Sequence, residues 1–251
     1  QVRPHVGHVF YGVAMFPTKD ALAHSLTTAA LPAALTDLAR PAALLRPEAG
    51  LPQRVGESRF GGHPDLPPHL DWPWIPRYDI RMPFLAQINL ADVRGMSGLD
   101  LPRSGHLYFF YDTEGQPWGY EDFHKEGFRL LYARDHGLVP REAPAGTHVL
   151  PAHRLLPEAV LSMPGSWQGD ERYSGWHYRA PDTDGVHHLG GHPVPIQGPV
   201  EGFGRVLLAE FTSGGKGQWQ WGDHGRLYVT ISRTALRQRR WRDARLELQC
   251  Y

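Results

Sequence analysis

Gly61-Gly62-His63-Pro64 recurs as Gly190-Gly191-His192-Pro193, and the rest of the chain reads outward from this pair. Leu85-Ala86-Gln87 and Gly105-His106-Leu107-Tyr108 follow the first copy. Leu208-Ala209-Glu210 and Gly225-Arg226-Leu227-Tyr228 follow the second. The offsets are 129, 123 and 120 residues, in one order and close to half of the 251-residue chain. Three matches in register point to a duplicated unit, the alternative being chance likeness between short strands. Each unit then holds a Gly-Gly turn, a strand ending in polar residues and a Gly-x-Leu-Tyr strand. In Phe84-Leu85-Ala86-Gln87-Ile88-Asn89-Leu90, a period of two sets Phe84, Ala86, Ile88 and Leu90 on one face. Gln87 and Asn89 take the other. Residues 105–111 form an aromatic run of strand length.

Towards the C-terminus, residues 227–231 read as a strand, Ser232 as a helix N-cap and 233–240 as a short helix. Leu246, Leu248 and Cys250 alternate with Glu247 and Gln249 in a last strand. Towards the N-terminus, the apolar run 8–16 suits a strand or the start of a helix. Residues 19–31 and 33–39 carry helical composition, punctuated by Pro17, Pro32 and Pro41. Stretches 140–157 and 162–185 read as loops. The expected fold is α+β, mostly β, with internally duplicated mixed or antiparallel sheets and a short N-terminal helical region. The expected divisions are a helical extension over 1–45 and a domain over 46–251. Two related halves, 46–140 and 175–251, make up that domain, joined by a loop-rich segment.

The chain is 41% hydrophobic and 21% charged, which supplies a core and excludes a disordered chain. Twenty-six basic residues balance twenty-six acidic ones, so no global field draws it to nucleic acid or to an anionic membrane. No apolar run reaches the ~20 residues that span a bilayer. The start shows no signal-peptide layout, and a single cysteine excludes an intrachain disulfide, so a reducing cytoplasm is the expected setting. Arginine outnumbers lysine 23 to 3 and Asn89 is the only asparagine, a bias that a GC-rich bacterial genome accounts for.

The run from Glu57 through Pro67, followed by Trp72-Pro73, resembles the opening signature of the YwqG-like family of bacterial proteins, a domain-of-unknown-function family. Residues 84–90, 101–112, 187–193 with Gln197, 221–228 and 248–251 are similar to its later blocks, so the resemblance runs from about residue 40 to the end. It implies a mixed, mostly β fold with internal duplication. It implies no reaction; related domains often sit beside bacterial toxin and immunity genes. His192 stands where an aromatic is more usual in the family, and 162–185 departs from its pattern.

No catalytic signature is present. The turn 213–217 lacks the spacing of a phosphate-binding loop, Gly202-Phe203-Gly204 lacks a third glycine, and Gly165-Ser166-Trp167 is not a nucleophile elbow. No cofactor is therefore predicted. His63, His187, His188 and His192 could offer imidazoles to a metal, although adjacent strand histidines point to opposite faces. Arg237, Arg239, Arg240, Arg242 and Arg245 with Trp241 form a basic patch whose interleaved acids favour a solvated face over nucleic-acid binding. Asp65, Trp72, Gln87, Asn89, Gln197, Trp221 and Asp223 belong to turns and strand ends that a duplication would bring together around a polar cleft.

Two functions from different classes follow. The first is a non-catalytic binding protein, of the protein–protein interaction or toxin-immunity type. Its expected anchors are exposed aromatics of 162–185: Trp167, Tyr173, Trp176 and Tyr178. The second is an enzyme or small-polar-ligand binder using the cleft between the halves.

Overall fold

The computed structural model describes residues 14–50, 52, 54–134, 136–178, 185–214 and 219–251. Its strands and helices in the first half are β1 (Met15–Phe16), α1 (Lys19–Thr28), β2 (Arg40–Ala49), β3 (Arg59–Phe60), β4 (Asp65–Leu66), β5 (Trp74–Ile75), β6 (Ile80–Arg81), β7 (Phe84–Asn89), β8 (His106–Tyr111), β9 (Phe128–Ala133) and β10 (Val139–Pro140). The second half adds β11 (His153–Ser162), α2 (Glu171–Tyr178), β12 (His187–Gly190), β13 (Arg205–Thr212), β14 (Arg226–Ser232), α3 (Arg233–Arg237) and β15 (Arg245–Gln249).

One eleven-stranded sheet dominates, in the order β15-β14-β13-β12-β2-β11-β3-β7-β8-β9, with β1 attached to β11. All the strand pairings within this sheet are antiparallel. β2 and β11 form the central seam, and an arm of four strands extends from each side. The first strands cross over. β2 pairs with β12 of the later arm, and β11 pairs with β3 of the earlier one.

The two arms have matching registers. Phe60 faces Ala86 and Gln87 faces Tyr108 in one; Leu189 faces Ala209 and Glu210 faces Tyr228 in the other. Each arm has a register shift at the same place, between Phe84 and Ala86 and between Leu207 and Ala209. The shift turns two consecutive residues inward, Leu85-Ala86 and Leu208-Ala209. Tyr108 Oη donates to the Asp65 carbonyl at 2.7 Å, and Tyr228 Oη to the Val194 carbonyl at 2.6 Å. Both Gly-Gly turns need glycine: Gly61 and Gly190 each have φ of +66°, and a Cβ on either would lie 2.2 Å from a backbone oxygen.

The sheet curls until its ends nearly meet. Leu248 N–H beside β9's entry connection donates to the Trp118 carbonyl at 3.0 Å, and the Tyr132 ring lies 5.8 Å from Trp241. Inside lies one core shared by both arms, including Phe60, Phe109, Phe211, Trp221 and Val229. The outer face of β8 is covered too, with Tyr108 and Phe110 packing on Leu66, Trp72 and Ile75. Burial on both faces explains why β8 and β14 read as nearly continuous apolar runs.

The structure corrects several expectations. Residues 153–157, read as part of a loop, belong to β11, although Pro157 argues against a central strand; it sits opposite Leu45. Within 162–185, α2 forms because Tyr173, Trp176 and His177 fall on one helical face that packs towards Leu22, Leu26 and Met163. Residues 33–38 make a 3-10 turn, and the C-terminal helix stops at Arg237, just before the positive φ of Arg239. β2 runs through the boundary drawn at residue 45. Positions 8–13 and 215–217 lie outside the described residues.

Candidate functional site

Asp65 and Gln87 are brought together, but underground. The Asp65 carboxylate pairs with the Arg59 guanidinium and accepts from Gly56 N–H at 2.7 Å. Asp65 N–H donates to Gln87 Oε1 at 2.7 Å, and Gln87 Nε2 donates to the Glu57 carbonyl at 3.0 Å. Burial pulls Arg59 below its ordinary pKa, opposed by Asp65 and then Glu57. Asn89 joins at the rim, its Nδ2 donating to the Gly56 carbonyl at 3.2 Å. These groups satisfy one another and the 56–58 backbone. The later arm has a counterpart at the same register. Burial alone would raise the Glu210 carboxyl, but Arg226 and His188 hold it below its usual range, with Arg226 Nη1 at 2.6 Å.

The other predicted residues are dispersed. Trp72 is in the outer cluster with its Nε1 donating to the Met82 carbonyl at 2.9 Å, whereas Trp221 is in the central core near Phe60 and Tyr111. Gln197 N–H is held by Gln249 Oε1 at 2.9 Å. Asp223 is exposed at a turn, its carbonyl accepting from Tyr251 N–H at 3.1 Å. No open cleft gathers these seven side chains among the described residues.

The aromatics of 162–185 are not an exposed patch, which corrects the expectation of anchors there. Tyr173 is fully buried and donates to the Pro164 carbonyl at 2.6 Å. Trp167 packs on it edge-on, and Trp176 is partly buried, stacked on Phe16 with Nε1 donating to Ser25 Oγ at 2.9 Å. The Tyr178 side chain lies outside the described residues. The histidines separate likewise: His187 faces the core, His188 faces Glu210, His192 Nε2 meets the Leu38 carbonyl, and His63 Nδ1 accepts from Ala143 N–H. Trp241 is buried, which removes the stacking platform from the arginine patch.

Two surfaces remain, one that the sequence did not single out and one that shares Arg242 and Arg245 with the predicted basic patch. The hairpin β5–β6 and the 112–127 connection enclose a groove of about 360 Å³ lined by Tyr78, Ile80, Trp118 and Phe123. Tyr78, Tyr120 and Phe123 are at least half exposed, at 57%, 58% and 50%. Arg77 lies over the Phe123 ring at 5.2 Å, and Trp118 stacks with Tyr120 at 6.4 Å. The connection is braced: Asp112 Oδ1 accepts from Gly115 N–H at 2.8 Å, and Gln116 Oε1 accepts from Gly222 N–H at 2.7 Å. On the other side of the same connection, a trough of about 610 Å³ runs between β9 and the approach to β15. Lys125, Arg129, Arg205, Arg242 and Arg245 line it, against the single carboxylate of Asp243. Aromatics in a stretch rich in Gly, Pro and acids, with no periodicity to bury them, are the signal that could have found this groove.

A family model described as Domain of unknown function (DUF1963) matches residues 58–250. No curated protein sequence matches the chain.

Proposed function

Since the chain belongs to the DUF1963 family of domains of unknown function, we propose its role from its surface: a non-catalytic protein-binding module. The observation that carries this reading is the braced groove lined by Tyr78, Trp118 and Phe123, with exposed Tyr120 stacked on Trp118 next to it. Interface energy concentrates in such residues when a partner desolvates them. The adjoining trough of five cations adds the partner's sign, an acidic surface. The Asp65, Gln87 and Asn89 amides and carboxylate hold the scaffold in this reading, and Gln197 Oε1 accepts from the Tyr120 hydroxyl at 3.5 Å beside the docking face. The finer parts of the proposal are a YwqG-like identity, descent from an internal duplication and a bacterial cytoplasmic setting. The matched registers support the duplication; the single cysteine and the arginine bias support the setting.

The test places a photo-crosslinking phenylalanine analogue at position 123, and at Thr234 as an exposed control, in living source cells. One discrete adduct from position 123, lost on Arg242→Glu with Arg245→Glu, is the expected result. With the partner in hand, Trp118→Ala should weaken binding more than about tenfold. Equal labelling from both positions rejects the reading.

A further inference from the structure

The two ends of the sheet, β9 and β15, both carry arginine on the outer face. Phe128, Leu130 and Leu246 face the core, so Arg129 and Arg245, their neighbours in sequence, face outwards. Thr230 of β14 sits opposite Arg245, and Arg205 of β13 reaches over to that pair. Its Nε donates to Thr230 Oγ1 at 3.0 Å, and its Nη2 to the carbonyls of Thr230 at 2.7 Å and Asp243 at 3.3 Å. Arg129 Nη1 donates to the carbonyls of Lys125 at 2.9 Å and Phe128 at 2.8 Å. All three guanidiniums line the trough of about 610 Å³ between the two strands.

Two of the three are pinned by neutral groups. A main-chain carbonyl fixes a guanidinium in place without cancelling its charge. Arg205 Nη1, Arg129 Nη2 and the whole Arg245 guanidinium have no partner among the described residues. The carboxylates close by are committed elsewhere. Asp122 pairs with Lys125, Arg245 acting on it least, and Asp243 pairs with Arg240 at 3.0 Å. Arg242, 3.9 Å from Asp243, adds a further cation to the walls. Burial first, then the like charge of Arg245, pulls Arg205 below its ordinary pKa, with Asp243 opposing. An anion between the arginines removes that repulsion. Guanidinium forks match phosphoryl oxygens, and two joined phosphoryl groups bring about three to four negative charges. We propose that the trough binds a compact oxyanion of two or more joined phosphoryl groups, gripped by Arg129, Arg205 and Arg245 from both ends of the sheet. The chain binds it alone and leaves the aromatic groove free, so the inference goes beyond the docking reading and does not rest on it.

Isothermal titration of the full chain with inorganic pyrophosphate, at about 0.1 M salt, tests this. The expected result is saturable binding of one anion, at least about tenfold tighter than orthophosphate. Arg245→Gln removes an exposed cation with no side-chain partner among the described residues, and should weaken pyrophosphate at least about fivefold. Arg237→Gln, which removes an exposed arginine outside the trough, should leave the affinity unchanged. ADP separates the sources of the group. Tighter binding than pyrophosphate assigns it to a nucleotide, equal or weaker binding to the free anion, and either supports the site. Binding without saturation, equal affinity for pyrophosphate and orthophosphate, no loss in Arg245→Gln or an equal loss in Arg237→Gln would each overturn the inference. None of these outcomes bears on crosslinking from position 123.

Discussion

At the scale of single residues, His187 stands out. Its ring is fully buried, stacks on Phe60 with centroids 4.4 Å apart, and neither nitrogen has a partner among the described residues. Burial above all, with His188 and His153 adding to it, lowers its pKa from 6.5 to about 3. The unfolded chain therefore takes up a proton that the native state refuses. Stability is whole above about pH 6.5 and falls as pH drops towards about 3, by about 1.4 kcal/mol per pH unit for this group. Replacing the ring by an apolar one removes that term, and His187→Phe should be neutral or stabilising at pH 7 because no polar atom is left unpaired. Urea unfolding of both proteins between about pH 6 and about pH 4 checks this; identical slopes would reject it. Residue chemistry was only partly legible in the sequence. Adjacent His187 and His188 do point to opposite faces, as strand geometry demands. What Asp65 and Gln87 do was hidden, because an amide and a carboxylate look the same whether they await a ligand or satisfy a turn. Burial decides that, and burial is a property of the closed sheet.

At the scale of elements, the matched strands make a quantitative claim. Tyr108 on β8 and Tyr228 on β14 hold equivalent carbonyls across equivalent arms, at 2.7 and 2.6 Å. Tyr108→Phe and Tyr228→Phe should each cost about 1 kcal/mol, and the double variant the sum. Equilibrium denaturation checks both numbers; a cost confined to one arm would show that the two hydroxyls do different jobs. The strands β7, β8, β14 and β15 were legible because alternation and aromatic runs survive in them. β11 and α2 were not. A proline in the central seam strand and a short helix holding Ser174 and Gly175 both break local rules, and long-range pairing overrides them.

At the scale of the whole molecule, neither half completes its own sheet. β3 needs β11, β12 needs β2, and eight residue pairs join β2 to β11. Residues 14–134 alone should therefore lack a cooperative transition, whereas mixing them with residues 136–251 should restore one. Circular dichroism melts of each piece and of the mixture measure this, and a cooperative melt of the first piece alone would refute it. The same crossing has a consequence during synthesis. Ala42, Ala43, Leu44 and Leu45 emerge first and are buried in the finished protein, yet both neighbours of β2 are encoded about 100 or more residues later. At about 5–20 residues per second the ribosome leaves that greasy strand waiting for about 5–20 seconds. Through that interval the strand has no sheet partner on either side, and in the finished protein it has both.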